Sequence, residues 1–346
     1  MRNARLGLLF ALAGCQAAGL APSAAVPPQA SGVRREATPD TRSGHVFVAV
    51  TSATHYPSVE RFHLVNGVPE STPDRTYDGY GFLIAVSTNG TLYSFGQIGD
   101  YGIYAFSPRS NKPARRIEIH SPEHCGLSSG GESTISAIAT DAKGYLFAAI
   151  YSYDGGATAR TRPLAPAAST RVPCDGVVVL APNAKGKAKP VQTITLGRHT
   201  IITGIAVDHA DNLYITEDPY KIVEFANAVA APERTRVFHT KAPAHVSSIA
   251  TDDAGNVFIS NVNYGYKTGW IDRYAPAANG KGPPNSRIML EGSRLHFLLA
   301  TAVRRRELFA VDTFDQVDVY HARAKGPQSP FYSFPANDAS SIATGP

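Results

Sequence analysis

The stretch Ile202 to Ala226, ITGIAVDHADNLYITEDPYKIVEFA, limits what this chain can become, because variants of it recur along most of the sequence. It reads as an apolar run (Ile202 to Val207), a polar turn (Asp208 to Asn212), a second strand (Leu213 to Thr216), a short loop and a third strand (Ile222 to Phe225). Val246 to Ala275 follows the same plan with a longer loop. First strands begin at Phe82, Ile135, Ile202, Val246 and Phe297, and a period of roughly 43 to 67 residues is that of a propeller or an array. Each unit has room for a fourth strand, such as Thr235 to His239 and Ser286 to Leu290. Four antiparallel strands make one propeller blade.

The two ends of the chain supply a further blade between them. His45 to Val50, Val59 to Leu64 and Asp74 to Tyr77 read as second, third and fourth strands with no first strand ahead of them. Ser340 to Thr344, SSIAT, matches Ser247 to Thr251 and is followed only by Gly345 and Pro346. The C-terminal strand is therefore expected innermost in the blade begun by the N-terminal strands. Such closure removes the open edge that invites aggregation. The expectation is an all-β chain: a six-bladed β-propeller over residues 44–346, with four-stranded antiparallel blades, working as a monomer. With Gly 30 and Pro 25, and no amphipathic stretch of helical period beyond a few turns, a helical fold is excluded.

The formal net charge of +5 comes from bases scattered through loops, which argues against nucleic acid as a partner. The densest run, Arg304-Arg305-Arg306, falls where other units place their strand-linking turn and reads as a solvated hairpin tip.

At the N-terminus, Arg2 and Arg5 precede a short apolar core, Leu6 to Ala11, and then Leu12-Ala13-Gly14-Cys15. These four residues resemble a bacterial lipobox. The resemblance implies a signal peptide over residues 1–14, cleavage before Cys15 and acyl chains on that cysteine, so that a membrane is a partner through the anchor. An ordinary secretory signal cut near Ala18 or Ala21 is the alternative. Residues 15–43, rich in Ala, Pro and Ser, form a tether of about 28 residues reaching on the order of 30 Å. Gln16 is not the aspartate that retains lipoproteins at the inner membrane, so the resemblance points to the outer membrane, facing the periplasm or the cell surface. Cys125 and Cys174 remain in the exported part, match no metal spacing and are expected on one face of blade three, joined as a disulfide that ties down the insertion Tyr151 to Pro173.

GIAVDHADNLYITEDPYKIVEFA is similar to the NHL repeat, and FANAVAAPERTRV, YAPAANGKGPPNSRI and LAPNAKGKAKPVQTI resemble the Ala/Pro/Gly link of exported bacterial NHL-like proteins. The resemblance implies architecture more than chemistry, since this fold hosts lyases, lactonases, receptors and scaffolds. In such propellers, function collects where the second-to-third-strand loops and the approaches to the first strands meet. The second strands end there in Glu217, Asn261 and Asp312 in three consecutive blades, a set of oxygen ligands suited to Ca²⁺, although no cofactor is required by any motif. Peptidyl-amidating lyases place zinc-binding histidines where this chain has Leu83, Ser136, Thr203, Ser247, Leu298 and Ser340. Gluconolactonase-like enzymes need a Glu, an Asn and an Asp around one ion, but Thr203 stands at the Asn position and Ser340 at the first-blade Glu. The same face carries Tyr56, Tyr101, Tyr151, Tyr153, Tyr220, Tyr264, Tyr266 and Trp270, rings suited to a protein, peptide or glycan partner. Three readings follow: a non-catalytic envelope binding protein, a divalent-metal-dependent hydrolase or lactonase using Glu217, Asn261 and Asp312, or a purely structural spacer.

Overall fold

The strand Gly44–Val50 shows why this sequence builds a ring of sheets. Val46 and Val48 enter one core with Phe309 and Val311, while Phe47 and Ala49 enter another with Leu92 and Phe106. A strand buried on both faces needs a sheet on either side of it, and the residues to provide them recur along the chain. The computed structural model describes residues 44–51, 57–97, 100–119, 132–153, 175–196, 200–217, 220–240, 245–263, 268–290, 298–312 and 316–346. Their regular structure is entirely β, and no helix among them is long and apolar enough to cross a membrane.

Six antiparallel sheets form six blades. Blade one consists of Ala339–Gly345, Gly44–Val50, Ser58–Val65 and Arg75–Asp78 from the channel outward. Blade two is Leu83–Val86, Leu92–Gln97, Asp100–Phe106 and Pro113–Glu118; blade three is Glu132–Thr140, Leu146–Tyr153, Gly176–Leu180 and Gln192–Thr195. Blade four is Ile202–Val207, Leu213–Glu217, Lys221–Ala226 and Glu233–His239; blade five is His245–Thr251, Val257–Asn263, Thr268–Tyr274 and Ser286–Leu290. Blade six is Leu298–Arg304, Glu307–Asp312, Gln316–His321 and Tyr332–Pro335. The first strands touch one another in an unbroken ring, and one apolar cluster fills each interface between neighbouring blades. The ring closes as expected: the C-terminal strand lies innermost in blade one, with Val46 opposite Thr344 and Val48 opposite Ile342.

Two devices hold neighbouring blades in register. Where the first strands end, valine and threonine alternate around the channel: Thr140 donates to the Val86 carbonyl at 3.0 Å, Thr251 to Val207 at 3.1 Å and Thr344 to Val303 at 3.3 Å. On the outside, the links between third and fourth strands reach back to the preceding blade. Gly186–Lys187 pairs parallel with Ile117 and Glu118, and Gly326–Gln328 with Ile288 to Leu290. Gly280 makes the same bridge to Phe238, donating to the Val237 carbonyl at 2.9 Å and accepting from the His239 amide at 3.1 Å. Gly186, Gly280 and Gly326 have φ of 56°, 68° and 73°, a left-handed turn that explains why Ala-x-Gly recurs in these links. The clasp covers backbone that would otherwise be an open sheet edge.

The arginine run departs from its expected role. Arg305 and Arg306 do form the hairpin turn, but Arg304 is half-buried and its guanidinium lies over Gly44, where a Cβ would fall 1.3 Å from Nη1. Burial lowers its pKa. A hairpin tip is solvated only where no neighbouring blade covers it, and here blade one does.

Candidate functional site on the loop face

The loops leading from second to third strands and the approaches to first strands emerge at one end of the channel, the loop face; the first-to-second hairpin turns form the turn face at the other. Entry into the first strand is marked by a recurring β-bulge. Register shifts occur between Ile202 and Gly204, Val246 and Ser248, and Leu298 and Ala300, with counterparts in blades one and three. A bulge re-aims the extra side chain. In two blades that side chain turns back on its own sheet: Thr203 meets the Thr216 hydroxyl at 2.8 Å and Ser247 donates to the Ser260 carbonyl at 3.3 Å, while Ser340 lies 3.4 Å from both the Ala49 carbonyl of its own blade and the Phe82 carbonyl of blade two.

The three second-strand termini differ in their surroundings. Glu217 shares a strand face with Leu213 and Ile215, which pack against Val177 and Val179 of blade three. Lys221 lies directly opposite and pairs with the carboxylate, and both line a cavity of about 360 Å³ beside Thr195, Leu196 and Arg234. Asn261, fully buried, shares its face with Val257 and Ile259, which pack against blade four. Its amide donates to the Ile259 carbonyl at 2.9 Å and to Asp272 Oδ2 at 3.3 Å, leaving Oδ1 buried with no partner among the described residues. Asp312, also fully buried, shares its face with Leu308 and Ala310, which pack against Phe258 and Ile271 of blade five. Each of the three thus faces the blade before its own. Among the described residues no group of three His, Cys, Asp or Glu side chains is arranged as a metal site.

Two residues singled out in the sequence are brought together through a third that was not. Asp272, fully buried, accepts from the Trp270 indole at 3.1 Å and from Asn261, and takes two bonds from Arg287 at 2.6 and 2.8 Å. Arg287 also lies 4.9 Å over the Trp270 ring, and its bonds to Asp272 raise its pKa. Trp270 is 7% exposed and faces this network. Tyr220 lies half-buried in its turn. Tyr101, Tyr151 and Tyr153 lie on described strands, at the loop-face ends of blades two and three. Tyr56, Tyr264, Tyr266, Cys15, Cys125 and Cys174 fall outside the described residues, as do residues 1–43.

Phe82 was counted only as a strand residue, yet it is 44% exposed where blade two opens onto the loop face. Its amide pairs with the Phe95 carbonyl at 3.1 Å, and its ring lies over Gly96, where a Cβ would come within 2.0 Å of ring carbon Cδ2. Gly96 has φ of 97°, so its bare, left-handed backbone provides the seat for the ring. The sequence signal was the glycine at a second-strand end where other blades carry a side chain.

No protein-family model matches the chain, and no curated protein is similar to it in sequence. Solved structures share its architecture. A protein of unknown function from Bacteroides caccae and the periplasmic gluconolactonase PpgL of Pseudomonas aeruginosa each superpose with a TM-score of 0.54 at 13% identity, over 88% of this chain and 99% of theirs. A protein from Lactobacillus plantarum gives 0.52 at 12% identity over the same shares. At such identities the likeness shows the fold alone.

Proposed function

We propose that this chain is an exported, lipid-anchored binding protein of the bacterial envelope, an NHL-like propeller that takes a glycan or peptide on its loop face and performs no chemistry on it. The observation that carries the reading is the exposed Phe82 ring seated on Gly96. A ring already held in place loses little entropy when a sugar face or an apolar side chain stacks on it. Two of the three polar second-strand ends support the non-catalytic half: Glu217 is paired with Lys221, and Asn261 is oriented by Asp272. Leu12-Ala13-Gly14-Cys15 supports the anchor.

The test is to probe saccharide and peptide arrays with the purified protein and repeat the strongest interaction with Phe82→Ala. A loss of about tenfold at unchanged melting temperature is expected. Unchanged binding would remove the loop-face assignment. Divalent-dependent hydrolysis of glucono-1,5-lactone, abolished by Asp312→Ala, would overturn the binding reading in favour of the metal-dependent lactonase, with Ca²⁺ as the first ion to try. Cys15→Ser should move the protein from the membrane fraction to the soluble one.

A further inference from the structure

Three of the blades clasp the one before them through backbone, and blade four does not. The clasps run from blade three to blade two, from five to four and from six to five. Each turns on a glycine with positive φ, and the link of blade four, Asn227 to Pro232, contains no glycine. It coils on itself instead: the Ala230 and Ala231 amides donate to the Asn227 carbonyl at 3.1 and 3.0 Å, and the Ala228 amide to the Asp211 carbonyl at 3.3 Å. No strand of the described residues therefore pairs with the outer edge of Gln192–Thr195 in blade three. One side chain stands in for the clasp: Gln192 accepts the Thr193 amide at 2.8 Å and donates to the Ala230 carbonyl at 3.4 Å.

The same boundary holds the cavity of about 360 Å³, a size suited to a small molecule. Lys221, Val223 and Phe225 alternate along one strand and all line it, together with Leu196 of blade three. Val223 and Leu196 are buried, so the walls between the charged residues are apolar. Four residues separate Lys221 from Phe225, about 13 Å of strand, and Arg234 lies opposite Phe225 on the fourth strand. The slot is therefore on the order of 10 Å long, with a cation towards either end. Arg234 and Thr195 line it and are exposed, so it opens to solvent beside them.

The two cations are not equivalent. Lys221 is neutralised by Glu217, which lines the cavity with it. Arg234 has no partner among the described residues, whereas Arg236 on the same strand is held by Glu224 and Arg287 in blade five by Asp272. A carboxylate in the slot would be repelled by Glu217 and met by the unmatched guanidinium, which can grip both its oxygens. We propose that this cavity binds a monocarboxylate with an apolar body, a short- or medium-chain fatty acid, with its carboxylate on Arg234 and its chain on Phe225, Val223 and Leu196. Charge sets the direction of the ligand, and burial of its chain supplies the affinity.

Calorimetric titration of the full chain with sodium octanoate tests this. Octanamide keeps the chain without the charge, and acetate keeps the charge without the chain. Octanoate is expected to saturate, octanamide to bind about tenfold more weakly and acetate to give no saturable heat. Arg234→Gln, at an exposed position, should weaken octanoate about tenfold at unchanged melting temperature. Thr195→Tyr, which puts a ring at the mouth, should weaken it as well. Absence of saturable binding at millimolar octanoate, equal binding of octanamide or acetate, or full affinity in either variant overturns the proposal. Should Arg234→Gln fail to fold, Thr195→Tyr and the octanamide comparison decide alone. Phe82→Ala should leave octanoate binding unchanged; its loss there would put the fatty acid on the loop face and remove the cavity assignment. Neither cavity variant alters Phe82, so the two sites stand or fall separately.

Discussion

The two faces of the ring are built on opposite terms. On the turn face one solution recurs: an aspartate caps its hairpin in blades three, four and five through the same pair of backbone amides. On the loop face the second-strand ends are unlike one another, with Glu217 in an ion pair, Asn261 held by Asp272, and Gly96 bare beneath Phe82. Repetition identifies scaffold, because blades that share a turn need the same cap to hold it. Departure from repetition is the better guide to function, whichever face it occurs on, and residue type alone misleads: Asp208 and Asp141 are the same residue at the same place in the repeat, and they differ only in what Asn212 and Tyr214 supply to one of them.

The comparison can be broken most forcefully at Asp272. Its replacement by alanine removes the carboxylate that holds Arg287, Trp270 and Asn261, and with Arg287 one-third exposed the loss should be about 3 kcal/mol by urea denaturation. A cost below about 1 kcal/mol would mean that the loop-face network is not structural. Next in size, Asp208→Ala should cost about 2 kcal/mol, and Asp141→Ala distinctly less, because removing a carboxylate whose Oδ2 lacks a donor among the described residues relieves a penalty as well as losing the cap. Equal losses would make the two turns equivalent and erase the asymmetry between them.

A smaller effect, about 0.5–1 kcal/mol, is expected for Thr251→Val, which deletes one bridge between blades but keeps the shape of the strand. The smallest shows only as a slope with pH. Asp318, buried beside neutral donors from Ser333, Gln316 and Tyr320, has its carboxyl raised, chiefly by burial. Between the ordinary carboxylate value and that raised one, the folded state binds more protons than the unfolded. This group therefore favours folding at low pH, and that advantage is lost as pH rises through the window. Relative to Asp318→Asn, the wild type should gain melting temperature on acidification from neutral pH towards pH 4, about the ordinary carboxylate value. A difference that stays constant with pH would show that Asp318 does not titrate there.

Much of the fold was legible in the chain because it rests on local patterns repeated many times. Continuous apolar runs such as Leu213-Tyr214-Ile215 specify a strand buried on both faces, and the orphaned strands at the two termini already require closure by Ser340 to Thr344. The candidate sites were less legible. The sequence marked Asn261 and Trp270 but not Asp272, which joins them, because a third-strand residue meets them only across a sheet. It passed over Phe82, whose exposure depends on what Gly96 does not carry.

What the sequence determined by itself is the number of blades, their order and the closure of the ring, all consequences of short-range periodicity. Only the tertiary structure decided which polar groups have partners. Arg304 reads as a solvated tip until blade one covers it, and Asp141 reads as one more turn aspartate until its buried Oδ2 is found without a donor among the described residues. Partnership is a property of distances between blades remote in the chain, and no local pattern encodes it.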